Sequence, residues 1–106
     1  MDHMKFTMQP EGRTSIYDID IFQSAADEIV IGCKNTFYHS GSYILFNFPV
    51  KVSSGNAWKL YKNAVGNDSG SAADIIKFFS KYEAFARKTV QYLIFDNKKR
   101  NNTLGL

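Results

Sequence analysis

The feature that most constrains the fold of this chain is a wide apolar stripe at helical spacing in residues 71–95, SAADIIKFFSKYEAFARKTVQYLIF. Its positions are Ile75, Phe79, Tyr82, Ala86, Val90 and Leu93, widened by Ile76, Phe78, Phe85 and Ile94. Apolar residues that recur every three or four positions form one face of a helix, and a face this wide has to be buried. The segment therefore predicts one long amphipathic helix that packs on the rest of the chain.

Ser71 marks the start of this helix. Its hydroxyl can accept a hydrogen bond from the backbone amide of Asp74, which is the usual N-cap arrangement. The carboxylate of Asp74 also falls in the first turn, where it interacts favourably with the positive end of the helix dipole. We therefore expect the helix to begin directly after Ser71.

Residues 15–22 show the two-residue period of a β-strand. Apolar side chains alternate with Asp18 and Asp20, which is the pattern of a strand with one buried and one solvated face. Residues 28–33 continue in the same style after a polar turn, so the two segments predict a hairpin. Residues 5–8 are a candidate for a short first strand.

A second hairpin is predicted around Ser40 and Gly41, a two-residue junction of the kind that closes tight hairpins. Residues 36–39 and 42–48 would be its two strands. Pro49 limits the second of them, because proline cannot donate a hydrogen bond within a sheet. The N-terminal half is therefore expected to be an antiparallel meander of four or five strands.

Residues 57–65 fit either a short helix or a strand. A helix is favoured, because Asn56 can cap its start and Gly66 stands where a left-handed C-terminal residue is common. The expected fold class is α+β. An antiparallel sheet of four or five strands in the N-terminal half precedes a short helix and one long C-terminal amphipathic helix packed on the sheet.

The composition is that of a folded globular domain. Of the 106 residues, 44% are hydrophobic and 22% charged, which excludes a disordered chain. A single compact domain is expected over residues 1–106, with residues 1–4 a cloning remnant or flexible and residues 97–106 a basic tail. The only cysteine, Cys33, can form no internal disulfide, which favours a cytoplasmic location. No apolar run is long enough to cross a membrane.

No arrangement of residues indicates catalysis. Cys33 and His39 could in principle act as nucleophile and base, but a thiol at the end of an apolar strand is expected to be buried, with a raised pKa. Asp18 and Asp20 supply too few oxygen ligands for a cation site and are better explained as a solvated strand face. We therefore expect a chain that is not an enzyme and has no cofactor and no metal.

Aromatic residues are in excess in the predicted second hairpin, where Phe46 and Phe48 share one face and Tyr43 shares the other with Leu45. Either the surplus is exposed as an interaction patch, or the strand is buried on both sides. The two alternatives have equal standing. The candidate partner-binding residues are Tyr38, Tyr43, Phe46, Asp18 and Asp20.

Basic residues crowd the last third of the chain. They are Lys77, Lys81, Arg87, Lys88, Lys98, Lys99 and Arg100. Lysines on the solvent face of a helix are common and usually carry no function, so an ordinary solvated face is the favoured explanation. The alternative is a row of cations that contacts the phosphate backbone of a nucleic acid.

These observations lead to an expectation of a small non-catalytic binding protein. The concrete hypothesis is an inhibitor or immunity-type protein of a phage or bacterial conflict system, acting on another protein or on a second copy of itself. The alternative is a nucleic-acid-binding accessory protein that uses the basic helix face and tail. The first hypothesis rests on the lack of catalytic motifs, the surplus aromatic residues, the uneven charge and an analogy of size, and the alternative rests on the basic residues.

Overall fold

The computed structural model describes residues 3–38, 41–50 and 70–96. The first two of these ranges contain four β-strands, which are β1 (Met4–Met8), β2 (Tyr17–Gln23), β3 (Ile29–Asn35) and β4 (Ile44–Phe48). The strands form one antiparallel sheet in the order β1-β2-β3-β4, so each strand pairs with the next one along the chain. The predicted antiparallel meander is confirmed, with four strands in the described residues.

Helical elements follow the sheet and pack on one of its faces. Within residues 70–96 they are α1 (Ala72–Lys81), α2 (Glu83–Val90) and a π-helix (Gln91–Asp96). The α+β class is therefore confirmed. No helix among the described residues is both long enough and apolar enough to cross a membrane.

The core lies between the sheet and the helices, and strand alternation decides which side chains enter it. Every second strand residue is buried there, and the register places these residues opposite one another, for example Ile19 opposite Cys33 and Ile31 opposite Phe46. Helix α1 supplies Phe79, which is fully buried. Burial of such apolar surface is the main force that holds the two layers together.

The β2–β3 turn is tied directly to the start of α1. Ser24 closes the turn through its backbone and its hydroxyl, both of which contact Glu28. Asp27 adopts a left-handed conformation with φ of 57°. Its Oδ1 accepts hydrogen bonds from Gln23 Nε2 at 2.8 Å and from the backbone amide of Ala72 at 3.0 Å. The turn therefore satisfies an amide that the first turn of a helix leaves without an intrahelical partner.

The predicted helix start at Ser71 is confirmed. Ser71 Oγ accepts from the amide of Asp74 at 3.2 Å, and Asp74 Oδ2 accepts from the amide of Ser71 at 3.2 Å. This reciprocal pair is a capping box.

The prediction of one continuous helix over residues 71–95 is wrong. The helix is broken at Tyr82, whose φ of −125° and ψ of 72° are not helical. The rings of Phe78 and Phe85 lie 5.0 Å and 6.2 Å from the Tyr82 ring and 6.0 Å from each other, so the three rings form one cluster at the break. Helix breaks are usually marked by proline or glycine, and this segment contains neither, so the periodicity alone could not reveal the break.

Side chains from α2 and the π-helix cover β1, which lies at one edge of the four-stranded sheet. Arg87 Nη1 donates to the carbonyl oxygen of Thr7 at 2.9 Å. The backbone amide of Glu11 donates to Gln91 Oε1 at 2.8 Å, and Gln91 Nε2 donates to Asp96 Oδ1 at 2.7 Å. The bond to Thr7 satisfies a carbonyl of the edge strand, and the bond to Glu11 ties the loop that follows β1 to the helical segment.

The predicted strand over residues 36–39 is wrong for its described part. Asn35 Oδ1 accepts from the amide of Phe37 at 2.9 Å, and the amide of Tyr38 donates to the Asn35 carbonyl at 3.2 Å. This asparagine turn ends β3, because it uses the backbone groups that a continuing strand would need. β4 therefore pairs with β3 itself.

Several predictions concern residues outside the described ranges. The short helix over residues 57–65 and the basic tail over residues 97–106 lie there. At the N-terminus, Met4 begins β1 and is buried. The origin assigned to residues 1–4 and the single domain over residues 1–106 stay predictions.

Replacing Phe79 with alanine should lower the free energy of unfolding by about 3–5 kcal/mol, because it empties a fully buried site. Chemical denaturation measures the change. Phe85→Ala is the matched control, since Phe85 is only partly buried and should cost less. A loss below about 1 kcal/mol for Phe79→Ala would contradict its place in the core.

Replacing Ser71 with alanine should lower the free energy of unfolding by about 1 kcal/mol, because the amide of Asp74 loses its acceptor. The exposed Ser80 is a suitable control: its hydroxyl bonds only to the Ile76 carbonyl one turn earlier, so Ser80→Ala should change stability little. Equal denaturation midpoints for the two variants would argue against the cap.

Candidate functional site

Two loops meet at one end of the sheet. In an antiparallel meander the β1–β2 and β3–β4 connections leave the same end, here the end defined by residues 9–16, 36–38 and 41–43. We call it the loop end. The amide and the hydroxyl of Thr36 both donate to the Ile16 carbonyl oxygen at 2.9 Å, so the loops are joined to each other. Loops fixed on a rigid sheet are a common location for binding sites.

A pocket of about 600 Å³ opens between these loops. Tyr17, Cys33 and Ile44 contribute apolar surface to its lining, and Arg13 and Lys34 contribute positive charge. The described residues that line it include no aspartate or glutamate. Its volume lies within the range of small-molecule pockets.

Arg13 is positioned by a tight turn and by an aromatic side chain. Its amide donates to the Pro10 carbonyl at 3.1 Å, and Gly12 within this turn has φ of 77°, a conformation that glycine adopts without strain. The Arg13 guanidinium carbon lies 5.9 Å from the centre of the Phe95 ring, which in turn lies 5.0 Å from the Tyr17 ring. The guanidinium is therefore held beside the pocket by a cation–π contact.

Lys34 is placed by its strand and by Tyr43. Its Nζ lies 5.1 Å from the centre of the Tyr43 ring, and its cross-strand neighbour in the register is Asp18. Burial raises the pKa of Tyr43, and the negative charges of Asp18 and Asp20 raise it further. Tyr43 contacts Lys34, so the negative charges of Asp18 and Asp20 also act on the part of the pocket that Lys34 lines.

The two titratable groups in the apolar part of the pocket are neutral near pH 7. Burial raises the pKa of the Cys33 thiol to about 12, which confirms the prediction of a buried thiol with a raised pKa. Burial also raises the pKa of Tyr17, with a further contribution from Cys33, against the lowering effects of a hydrogen bond from Ser15 and the charge of Arg13. Among the described residues that line the pocket, the charged side chains at this pH are therefore Arg13 and Lys34.

Exposed apolar side chains are concentrated around this end of the molecule. Among the described residues the large exposed ones are Ile16, Phe37, Tyr38, Ile44, Leu45, Tyr82 and Tyr92. The first five lie at the loop end or in the first two positions of β4. Phe37 and Tyr38 are 79% and 63% exposed, and their rings meet edge to face at 5.5 Å.

Tyr43 and Leu45 pack together on the outer face of the sheet, the face away from the helices. Both flank Gly32, where an added Cβ would lie 3.1 Å from Tyr43 Cδ1 and 3.1 Å from Leu45 Cδ2. An added methyl group at this position would therefore crowd both side chains, which would have to shift slightly. The prediction that Phe46 and Phe48 share one face while Tyr43 and Leu45 share the other is confirmed, because Phe46 and Phe48 are buried on the opposite face.

The prediction that Asp18 and Asp20 form a solvated face is wrong for Asp20, which is 8% exposed. A hydrogen bond of 2.9 Å joins His3 Nδ1 to Asp20 Oδ1, and the His3 ring stacks on Phe22 at 4.9 Å. Asp18 is half-buried. Within residues 3–38, 41–50 and 70–96, no group of three or more His, Cys, Asp or Glu side chains is arranged to hold a metal ion.

The predicted partner-binding aromatics fall in three different environments. Tyr38 is exposed at the loop end, and Tyr43 is half-buried on the outer face. Phe46 is 7% exposed, because its position in β4 directs it into the core opposite Ile31. A direct contact of Phe46 with a partner is therefore corrected to a packing role.

The predicted basic row is divided by the helix break. Lys77 and Lys81 are exposed on α1, and Lys88 is exposed on α2. The remaining helical cation, Arg87, is held within the fold: its Nε donates to Glu83 at 3.1 Å and its guanidinium lies 4.8 Å from the Phe6 ring centre. Lys98, Lys99 and Arg100 lie outside the described residues.

Sequence reasoning missed the pocket-lining residues Arg13, Tyr17 and Lys34. The Pro10 to Gly12 segment did indicate a loop near Arg13. Which residues of the other strands lie beside that loop depends on the strand register, which the sequence does not give. Comparisons with protein-family models, with curated proteins and with solved structures find no match to this chain.

The Cys33 thiol should react very slowly with a thiol-specific disulfide reagent at pH 8. With a pKa of about 12, about one thiol in ten thousand is ionised, and the residue is buried. Absorbance of the released reagent measures the rate, and the same protein in denaturant should react fully. Fast labelling of the folded protein would contradict the buried, neutral thiol.

The same pKa shift predicts a loss of stability at alkaline pH. The folded thiol holds its proton more tightly than the unfolded thiol, with a pKa of about 12 against 9.0, so its contribution is fully present below pH 9 and is lost as the pH rises toward 12. Cys33→Ala should reduce this dependence. Part of the pH dependence should persist in this variant, because the pKa values of Tyr17 and Tyr43 are also raised in the folded protein.

Proposed function

We propose that this chain is a small non-catalytic protein-binding domain that contacts its partner through the loop end and the adjoining start of β4. One observation carries the proposal: five of the seven large exposed hydrophobic side chains among the described residues lie there. Single exposed apolar residues are ordinary, whereas a cluster of them is typical of an interaction surface. An inhibitor or immunity-type protein of a phage or bacterial conflict system is the specific form proposed.

The residues in this surface suit contact with another protein. Tyrosine is enriched among residues that dominate binding energy, and Tyr38 presents both a ring and a hydroxyl beside the exposed ring of Phe37. Ile44 and Leu45 add exposed apolar side chains at the start of β4, one on each face of the strand, because successive strand residues alternate. Lys34 and Asp18 lie next to it in the register and would contribute a charged rim.

The neutral groups in the neighbouring pocket favour binding over catalysis. A nucleophilic cysteine needs a lowered pKa, and the pKa of Cys33 is raised by its burial. Burial also raises the pKa of Tyr17, so its hydroxyl is even less readily ionised than that of an exposed tyrosine. These groups can contribute hydrogen bonds and apolar contact without entering a reaction.

A nucleic-acid-binding accessory protein is the second candidate, supported by the exposure of Lys77, Lys81 and Lys88. Arg87 weakens it, because its guanidinium already bonds to Thr7 and Glu83. The two functions differ in their dependence on salt. Contacts to phosphate weaken steeply as salt rises, whereas contacts made by apolar side chains do not.

The test begins with affinity purification of the tagged chain from its source cells, with and without nuclease, and titration of the purified partner. Tyr38→Ser and Leu45→Ser should each weaken binding by about 2 kcal/mol or more, roughly thirtyfold, because each removes an exposed apolar contact. Both positions are exposed, so the fold should be retained. The affinity should change little with salt.

The matched control is the triple variant Lys77→Gln, Lys81→Gln and Lys88→Gln, which removes only charge from exposed helix positions. It should bind the partner as the parent does. Two results together would show that the chain binds nucleic acid instead. The captured material would be lost after nuclease treatment, and the triple variant would bind with lower affinity and a smaller dependence on salt. Sedimentation of the chain alone separates a second copy from a different protein as the partner.

A further inference from the structure

We propose that the outer edge of β4, the side of the strand away from β3, pairs with the same edge of a second copy of this chain. Two four-stranded sheets would then join into one continuous antiparallel sheet. The inference deepens the proposed function, on which it rests in taking the start of β4 as a contact surface, and it names the partner of that strand.

Hydrogen bonds at the two ends of the β2–β3 pair show which way the backbone groups of the sheet point. The amide of Thr36 donates to the Ile16 carbonyl at 2.9 Å, and the amide of Ser24 donates to the Glu28 carbonyl at 3.0 Å. Both pairs continue the β2–β3 register, in which every second pair exchanges backbone hydrogen bonds. β3 therefore bonds to β2 through its even-numbered residues and to β4 through its odd-numbered residues.

The same alternation directs the backbone groups of Leu45 and Asn47 away from the sheet. Their register partners in β3 are Gly32 and Val30, which bond to β2, so the amides and carbonyls of Leu45 and Asn47 point outward. Among residues 3–38, 41–50 and 70–96, no group is hydrogen-bonded to them, and both residues are exposed. β4 therefore offers two amides and two carbonyls to a further strand.

The opposite edge of the sheet, formed by β1, is protected. Its outward backbone groups, by the same alternation, are those of Lys5 and Thr7, and the Thr7 carbonyl accepts from Arg87 Nη1 at 2.9 Å. Lys5 is exposed and places a positive charge on this edge. Native proteins commonly protect edge strands with lysine or with a covering element. Within the described part of the chain, the β4 edge has neither form of protection.

The lack of charge in β4 favours a second copy as the occupant of its edge. Residues 41–50 contain no charged side chain, whereas β1, β2 and β3 each contain at least one. Like charges that lie opposite each other destabilise strand pairing, and a strand that pairs with its own copy brings like residues together. A charged strand would therefore repel its copy, and β4 meets no such repulsion.

A two-fold axis at Leu45 pairs all the outward backbone groups at once. Leu45 then lies opposite Leu45 of the second copy, and Asn47 lies opposite Tyr43 of the second copy, in the pairs that exchange hydrogen bonds. The Leu45 side chain, which is 55% exposed, is covered by its equivalent on the outer face. Pro49 has no N–H, so the pairing ends where β4 ends.

The protected β1 edge limits this assembly to two copies. Joining the two β4 strands leaves a β1 strand at each end of the combined sheet. At both ends the charge of Lys5 and the bond from Arg87 to Thr7 disfavour a further strand. A third copy would find β4 already paired and β1 protected, so the contact closes as a dimer and does not propagate into a fibre.

The experiment measures the oligomeric state of the 106-residue chain by sedimentation equilibrium over a range of concentrations. The parent should form a dimer in the micromolar range. Leu45→Lys and Leu45→Glu should each weaken dimerisation by about tenfold or more, because the axis places like charges opposite each other. An equimolar mixture of the two variants should restore the dimer, since unlike charges then meet. This rescue also shows that both variants are folded.

The matched control is Lys5→Glu, which changes the charge of an exposed residue on the β1 edge and should leave dimerisation unchanged. Hydrogen exchange of the nitrogen-15-labelled chain then locates the contact. The amides of Leu45 and Asn47 should exchange slowly in the concentrated parent and fast in Leu45→Glu. The outward amide of Lys5 should exchange fast in both.

Three results would overturn the proposal: a parent that stays monomeric up to millimolar concentration, a dimer in which the Leu45 and Asn47 amides exchange fast, or a mixture of the two charge variants that stays monomeric. Protection of these amides only when a captured protein is added would also overturn it, because β4 would then bind a strand of a different protein. In each case the proposed function stands if Tyr38→Ser still weakens capture of the partner. A normal dimer together with unchanged capture by Tyr38→Ser would instead contradict the loop-end surface and support the β4 pairing.

Discussion

The structure depends on the burial of one apolar helix face against one face of the sheet. Phe79 of α1 is fully buried there, together with Ile19 and Ile31 from the two central strands. This contact requires strict alternation in the strands, because a shift of one residue would turn the apolar side chains to the outside. Once this face is fixed, the outer face and the loop end are the parts of the sheet that the described helices do not cover.

The helices have a second role at the sheet edge. Arg87 and Gln91 bond to backbone groups of Thr7 and Glu11, so the helical segment contacts the edge strand β1 and the loop after it as well as the core. A cation that sequence reasoning assigned to a possible phosphate contact is therefore used in the fold. The example shows why a count of basic residues on a helix is weak evidence for nucleic-acid binding. The environment of each cation decides whether its charge is available.

Local signals in the sequence were sufficient for the alternating strands and for the capped start of α1, because both depend on residues close together in the chain. The break at Tyr82 was not predictable in this way, since no proline or glycine marks it and the ring contacts of Tyr82 with Phe78 and Phe85 appear only in the structure. The end of β3 was missed for a related reason. The side chain and the carbonyl of Asn35 accept hydrogen bonds from the amides of Phe37 and Tyr38 and divert the chain into a turn, although the aromatic residues that follow favour a strand.

The candidate site was predictable in part only, because it depends on strand register. Tyr38 could be identified from its own segment as a surplus aromatic residue, and it is exposed. The pocket brings Arg13 from one loop to the same cavity as Lys34 at the end of β3, and neither residue is unusual in its own segment. Their proximity follows from the pairing of β2 with β3, which places Asp18 opposite Lys34 and brings the start of β2 to the end of β3. The exposed side chain of Tyr38 lines the same cavity, so the loop end brings together residues whose proximity no single segment of the sequence reveals.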